Sequence, residues 1–148
     1  MSRPHSAVPP IDAPDLQAAA TVIRSRGLRL STARRLVLEA LYASDEPLRA
    51  DQIAGDLDLA SVYRNLETLE GVGLVRHFHL GHGPGLYARA SAGRHEYLLC
   101  DACGAVLAVP PERLDAVRDL IRSDFGYEAR FTHFPIAGLC PDCAAEPA

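Results

Sequence analysis

The length of 148 residues allows one ordinary domain or two small ones. With 48% hydrophobic residues, 23% charged residues and a mean hydropathy near zero, the composition is that of a globular protein, not of a disordered chain. No stretch is apolar for long enough to span a membrane, and residues 1–14 are predicted to be a proline-rich disordered tail, not a leader. We therefore expect a cytoplasmic protein, in which disulfides are rare.

The net charge of −4 is distributed unevenly along the chain. Residues 1–90 contain ten arginines and ten acidic residues, whereas residues 91–148 contain five arginines and nine acidic residues. The N-terminal part is therefore neutral overall, which permits a local basic face that contacts nucleic acid. Because the sequence has no lysine, arginine would have to supply any phosphate contacts.

Apolar residues recur at helical spacing through the N-terminal part and predict four helices. Ser31 is well placed to cap the second helix, because its hydroxyl can accept a hydrogen bond from a free backbone amide. The predicted helices contain Leu16–Ile23, Leu36–Leu41, Ala50–Leu57, and Leu59 to about Glu70.

The fourth predicted helix has two distinct faces. Its apolar stripe consists of Leu59, Val62, Leu66 and Leu69, and its polar face of Ser61, Arg64 and Thr68 with Tyr63 at the border. The following residues alternate between apolar and polar around a turn at Gly81–Gly85, which predicts a two-stranded hairpin. Helices followed by such a hairpin are typical of a winged helix-turn-helix, which we assign to residues 15–90.

A small polar joint at residues 91–94 precedes a second predicted domain at residues 95–148. The predicted elements of this domain are strands at Tyr97–Leu99 and Ala105–Val109, a helix from Pro111 to about Asp124, and a strand at Phe131–Ile136. One face of the helix is apolar and consists of Leu114, Val117, Ile121 and Phe125. Because so small a domain has little core of its own, we expect this face to be buried against a second copy of the chain.

The cysteines form the strongest motif in the sequence. All four belong to two C-x-x-C pairs, Cys100 with Cys103 and Cys140 with Cys143. Four thiolates close a tetrahedral zinc site with no open position, so the zinc would be structural. Buried free thiols and a redox pair are the alternatives, but a thioredoxin-like motif would need an adjacent βαβ unit. The predicted fold class is α+β, a winged helix-turn-helix followed by a small α/β dimerisation domain with structural zinc.

The histidines form a second cluster in the segment HFHLGH. Residues two apart on a strand share a face, so His77 and His79 can approach one ion while Phe78 points to the core. Imidazole suits nickel, zinc, iron and copper, and carboxylate neighbours shift the preference towards manganese. The alternative is a polar wing that touches DNA phosphate.

These segments together resemble the ferric uptake regulator family of metal-dependent repressors, from about Leu16 to Cys143. The resemblance rests on GLRLSTARRLVLEAL, on ASVYRNLETLEGVGLV, and on CDACG paired with GLCPDC. The stretches HFHLGHGPGLY and FTHFPIAGLC are most similar to the nickel-responsive branch of that family. This similarity implies that His77, His79 and His133 bind the sensed metal.

The resemblance also implies a homodimer that represses metal homeostasis genes by binding a double-stranded DNA operator. The sequence S-V-Y-R matches the family pattern T-V-Y-R, which implies that Ser61, Tyr63 and Arg64 contact DNA. Arg29 stands at the family's basic position for the minor groove. A metal bridging the two domains would fix the spacing of two recognition helices.

The chain departs from the family pattern at several ligand positions. Only His95 remains of a histidine-rich run before the first C-x-x-C, and Pro47 and Ala88 stand where other family ligands occur. These differences disfavour sensing of iron or peroxide, although a peroxide-sensing member stays an alternative. The resemblance implies a further site with the ligands Glu96, Asp115 and His133. We expect the second divalent metal to be nickel, manganese, zinc or iron, in that order.

Two other classes of protein compete with this interpretation. A hydrolytic metal enzyme would need an open coordination position and a general base, and the sequence contains no H-E-x-x-H or comparable motif. A zinc-stapled adaptor that binds only protein would need no polar face on the fourth helix. The chain is therefore predicted to be a regulator and not an enzyme.

Overall fold

The computed structural model of the chain describes residues 8–81, 83–91 and 95–146. The tail up to residue 7, His82, most of the predicted joint at residues 91–94 and the last two residues lie outside this part. The described residues fall into two compact units. The first extends to His77 and resumes at Gly85, and the second comprises Phe78–Pro84 and the chain from His95 onward.

The chain contains helices and strands in both units, as the predicted α+β class requires. The helices are α1 Leu16–Ser25, α2 Thr32–Tyr42, α3 Ala50–Ala54, α4 Leu59–Val72, α5 Asp115–Phe125 and α6 Pro141–Ala145. The strands are β1 Leu48–Arg49, β2 Val75–Phe78, β3 Leu86–Arg89, β4 Glu96–Cys100, β5 Val106–Val109 and β6 Ile136–Gly138. Within the described residues, no helix combines the length and the apolar character needed to cross a bilayer.

The helices of the first unit begin where side chains cap their free amides. The Ser31 hydroxyl accepts a hydrogen bond of 3.2 Å from the amide of Arg34 at the start of α2. The Asp58 carboxylate likewise accepts one of 3.2 Å from the amide of Ser61 at the start of α4. Both caps fix the entry of a helix that the apolar spacing predicts.

The first unit contains the main hydrophobic core. Its fully buried side chains include Ile23, Leu38, Leu66, Leu69 and Leu74. The predicted apolar stripe of α4 is thereby confirmed except at Leu59, which lies in the first turn and is exposed. The opposite face of α4 is left on the surface of this unit.

Two sequence predictions for the first unit were wrong in detail. The third helix ends at Ala54 and not at Leu57, because Gly55 adopts a positive φ of 54° that breaks the helix. The wing is not two-stranded, because Leu48 and Arg49 add a third strand with the order β1-β3-β2. A strand of two residues carries too little periodicity to be predicted from sequence.

The segment before α1 is packed against the first unit, contrary to the prediction of disorder for residues 8–14. Ala13 is buried, and its carbonyl accepts hydrogen bonds from the hydroxyls of Tyr42 and Ser91 at 2.7 and 3.0 Å. The amide of Ile11 donates to the carbonyl of Gly73 at 2.9 Å. These hydrogen bonds to the backbone fix a proline-rich segment in place, although its composition alone indicates disorder.

The second unit is built on a three-stranded sheet of order β5-β4-β6. Strand β4 runs antiparallel to β5 and parallel to β6. The last strand, predicted at Phe131–Ile136, lies instead at Ile136–Gly138. The residues before Ile136 do not continue the strand, because Pro135 has no backbone N–H to donate. The carbonyl of His133 instead accepts a hydrogen bond from the amide of His79 at 2.7 Å.

The second unit has a small core. Of its described residues only Phe78, Glu96 and Cys100 are buried. The predicted apolar face of α5 is present, but two of its residues, Val117 and Phe125, are 41% and 72% exposed in the single chain, as is the neighbouring Leu120 at 60%. Apolar burial within one copy therefore contributes little to the stability of this unit.

Replacing Leu66 by alanine tests the core of the first unit. We expect a loss of about 2–5 kcal/mol in the free energy of unfolding, because a fully buried leucine leaves a cavity. Urea denaturation followed by circular dichroism measures the change. The control is Tyr63→Ala on the exposed face of α4, for which we expect a change within about 0.5 kcal/mol. Similar losses in both variants would contradict the assignment of faces.

Candidate metal centres and nucleic-acid interface

The sheet of the second unit brings the two C-x-x-C pairs to one edge. Cys100 is the last residue of β4, and Cys140 follows β6 and precedes α6. Strands β4 and β6 are parallel, with Cys100 opposite Gly138, so their carboxyl ends lie side by side. Pairs that are 37 residues apart in sequence therefore meet.

A tight turn shapes the first cysteine pair. The amide of Gly104 donates to the carbonyl of Cys100 at 2.9 Å, and Gly104 has a φ of 78° that favours glycine. The amide of Cys103 is directed at the sulfur of Cys100 at 3.5 Å. The turn thus orients backbone N–H groups towards a sulfur that is to carry negative charge.

The four sulfurs have the spacing of a metal site. The Sγ atoms of all four cysteines lie within 4.8 Å of one another, and those of Cys103 and Cys140 are 3.8 Å apart. Zinc–sulfur bonds of about 2.3 Å in a tetrahedron place sulfurs about 3.8 Å apart. All four cysteines are free thiols in the structure. The donor set and its spacing fit a structural zinc ion.

The electrostatics of the cluster explain why it needs a cation. Hydrogen bonds from the backbone amides of Cys103 and Cys140 lower the pKa of Cys100 to about 6. The neighbouring thiols, first that of Cys140, raise the pKa of Cys143 to about 12. One sulfur ionises readily while another resists, because adjacent thiolates repel each other. A divalent ion among the sulfurs would allow all four to be thiolates.

The ring of His77 is held in place within the first unit. It stacks on Tyr87 of β3 with ring centroids 4.5 Å apart and planes 4° from parallel. A Cβ atom at Gly85 would clash with Nε2 of His77, so the ring occupies space that only glycine leaves open. The sequence did not indicate these contacts, since a glycine in a wing is usually attributed to the turn.

His79 and His133 form a pair within the second unit. The backbone hydrogen bond of 2.7 Å between their residues brings the rings to a centroid distance of 5.1 Å. Ring nitrogens of the two residues lie within 4.8 Å of each other, and both rings contact Phe134. Two half-buried imidazoles at this distance can ligate one metal ion. His77 precedes His79 by two residues in the same segment.

The other predicted ligands are arranged differently. His95 is exposed and lies beside the ring of Tyr97 at 6.5 Å. Glu96 is buried and Asp115 is exposed, and both form ion pairs with Arg118. Within the part of the chain that the structure describes, none of the three belongs to a cluster of candidate ligand atoms.

The face of α4 predicted to contact DNA is accessible. Tyr63 is 46% exposed, Arg64 and Arg29 are exposed, and Ser61 is half-buried. This surface presents guanidinium groups and a phenol, groups that bind phosphate and the edges of bases.

A buried polar network supports this face and was missed in the sequence. The side chain of Asn65 donates to the carbonyl of Ser61 at 2.9 Å and accepts from Nε of Arg34 at 3.1 Å. Arg34 also donates to the carbonyl of Arg29. The signal for this network was an asparagine within the apolar stripe of α4, where a buried amide needs partners.

A helix-turn-helix unit with a wing, followed by a small α/β unit with four clustered thiols, defines a winged-helix protein with a cysteine site that could hold a structural zinc ion. The model of the "Ferric uptake regulator family" matches residues 25–133, and the chain belongs to that family. Members of the family are transcription regulators.

Individual relatives are distant but cover most of the chain. The Staphylococcus saprophyticus "Peroxide-responsive repressor PerR" is 26% identical over 86% of this chain and 90% of its own. The structure of the Helicobacter pylori ferric uptake regulator Fur, described as having three functional metal binding sites, has a TM-score of 0.67 at 18% identity and covers 93% of this chain and 99% of its own. A "Zinc Uptake Regulator Complexed With Zinc AND DNA" has a TM-score of 0.54 at 23% identity, over 87% and 92%. At these identities the structural matches show the fold.

Replacing Cys140 by serine tests the thiol cluster. We expect the variant to lose about one zinc ion per chain and to unfold at a lower temperature, because structural zinc contributes on the order of 10 kcal/mol to folding. Elemental analysis and circular dichroism measure the two effects. The control is Asp142→Ser, which lies between the second pair of cysteines and should keep the zinc. Zinc retained at full occupancy in the Cys140 variant would contradict the site.

Proposed function

We propose that the chain is a metal-responsive, DNA-binding transcriptional repressor that controls genes of metal homeostasis. The observation that carries the proposal is the pairing of the imidazoles of His79 and His133. His77 precedes His79 by two residues in the sequence. Membership of the ferric uptake regulator family supports it. In the proposed sequence of events, the chain first binds the metal ion. The metal then restricts the motion of the two units against each other, and the chain binds its operator.

The proposed regulatory site uses His77, His79 and His133. Three imidazoles favour a borderline divalent metal ion, and nickel is the first choice; manganese, zinc and iron are the alternatives. The similarity of HFHLGHGPGLY and FTHFPIAGLC to the nickel-responsive branch supports the choice of nickel. Neutral imidazole is required for ligation, so metal binding should weaken as the solution becomes acidic.

The proposed site would connect two units of the chain. His77 belongs to the first unit, whereas His79 and His133 belong to the second. An ion bound by all three would restrict the motion of one unit against the other and select a conformation able to bind DNA. A hundredfold increase in DNA affinity requires a coupling free energy of about 2.7 kcal/mol, within the usual allosteric range.

The proposed DNA-binding surface is the exposed face of α4 together with Arg29. Arg64 would bind phosphate or a guanine edge, and Tyr63 would contact a thymine methyl group. Ser61 would form a further polar contact, and Arg29 would enter the minor groove. The solved complex of a zinc uptake regulator with zinc and DNA supports this role for the fold.

We propose that two chains form a symmetric dimer through the second unit. The apolar face of α5 is exposed in one copy, and a second copy would cover it. A dimer would present two α4 helices to successive major-groove half-sites, which are separated by about 34–36 Å in regulators of this class.

A second candidate is repression that responds to peroxide. The 26% identity to a peroxide-responsive repressor favours it. If peroxide abolishes DNA binding by the metal-loaded protein, and adding more metal does not restore it, this function would be selected over metal sensing. Failure to bind any operator DNA would select a protein-binding adaptor.

Removing His77 and His79 together tests the regulatory site. The double alanine variant should keep its structural zinc but lose the roughly hundredfold increase in DNA affinity that added nickel gives the original chain. Fluorescence anisotropy with operator DNA measures the affinities. The matched control is His95→Ala, which should respond to nickel like the original chain. A normal nickel response in the double variant, with a lost response in the control, would move the site to His95.

Replacing Arg64 by alanine tests the DNA-binding face. The loss of a phosphate or base contact should weaken operator binding by about 1–3 kcal/mol in the metal-loaded protein. Metal binding, measured by calorimetry, should stay the same, because Arg64 lies on the exposed face of α4. Glu67→Ala, on the same exposed face, is the control and should not weaken binding. Equal affinities of the Arg64 variant and the original chain would contradict the interface.

A further inference from the structure

Glu96 carries a buried carboxylate that is bound by an arginine of the neighbouring helix. Its side chain is 4% exposed and begins strand β4. Nη1 of Arg118, on α5, donates to both carboxylate oxygens at 2.6 and 2.9 Å. A carboxylate buried to this extent is stable only when it is paired, and here the guanidinium provides the pairing.

The second terminal nitrogen of Arg118 is engaged as well. Nη2 donates to Oδ1 of Asp115 at 2.8 Å and to the carbonyl oxygen of Pro111. The guanidinium carbon lies 5.8 Å from the centre of the Phe131 ring. Each terminal nitrogen of a guanidinium has two N–H groups, so both nitrogens of Arg118 use their full donor capacity.

Glu96 and Asp115 are the two acids that the family resemblance implies as ligands of a further metal, together with His133. In this chain their oxygens face a guanidinium, which is always charged. It cannot release a proton to make room for a metal ion, as a protonated ligand could. A divalent ion on the same oxygens would lie beside that fixed positive charge and would have to displace it. The residues present at this position do not fit a metal ion.

We propose that Arg118 is an internal cation that takes the place of the metal at this position. The chain then binds two metal ions per copy, the structural zinc and the regulatory ion, and the contact between β4 and α5 forms without metal. The number of regulatory ions rests on the proposed function. The absence of a metal at Glu96 and Asp115 does not depend on it.

The first test counts metal ions in the full chain with its structural zinc in place. The variant is Glu96→Gln with Asp115→Asn, and calorimetric titrations with Ni²⁺ and with Mn²⁺ give the number bound per chain. The double variant should bind the same number as the original chain, with dissociation constants within about threefold. Loss of one bound ion per chain would overturn the proposal.

The second test removes the internal cation in a chain that carries His77→Ala and His79→Ala. With Arg118 present, this chain should bind no Mn²⁺ beyond its structural zinc. Adding Arg118→Met exposes two carboxylates without a counter-charge, so we expect one Mn²⁺ per chain and a rise in the unfolding midpoint on its addition. A folded Arg118→Met chain that gains no ion would overturn the idea that the arginine replaces one.

The control for this second test is Arg122→Met in the same background. Arg122 lies one helical turn further along α5 and pairs with Asp119 and Glu128, two exposed acids. Its removal also frees two carboxylates, but in water, and should create no Mn²⁺ site. If Arg118→Met fails to fold, the first test decides the proposal by itself. Both tests count ions, so a failure of operator binding leaves their results interpretable.

Discussion

Four cysteine sulfurs at one edge of a small sheet can be ionised together only around a cation, and the second unit depends on this constraint. Few of its described side chains are buried, so apolar packing cannot replace the metal. Strands β4 and β6 each end at a cysteine pair, which means that zinc would hold together the strands themselves. The segment with His133 leads directly into β6 and is positioned by the same arrangement.

Three kinds of positive charge have different roles in this account. Zinc among the thiols would be permanent, because a closed tetrahedral site offers no exchange position. A metal on the imidazoles would be exchangeable. The rings of His79 and His133 are half-buried, and neutral imidazoles bind metal ions with moderate affinity. The guanidinium of Arg118 is part of the chain and is independent of metal supply. Only the second of these can report a metal concentration.

The sequence predicted those features that depend on local patterns. Apolar periodicity and side-chain caps such as Ser31 defined the main helices, and C-x-x-C spacing identified the thiol cluster. Features that depend on distant partners were missed. No local pattern links Arg118 to its partner Glu96, which lies 22 residues away in the sequence. The strand predicted at Phe131 was displaced because Pro135 interrupts it.

The central claim is that imidazoles bind the second metal ion. X-ray absorption spectroscopy of the chain loaded with zinc and one equivalent of nickel tests this claim most directly. The account predicts zinc with four sulfur ligands at about 2.3 Å. It predicts nickel with nitrogen ligands from imidazole and no sulfur. Nickel bound to sulfur, or bound by oxygen without imidazole, would contradict it.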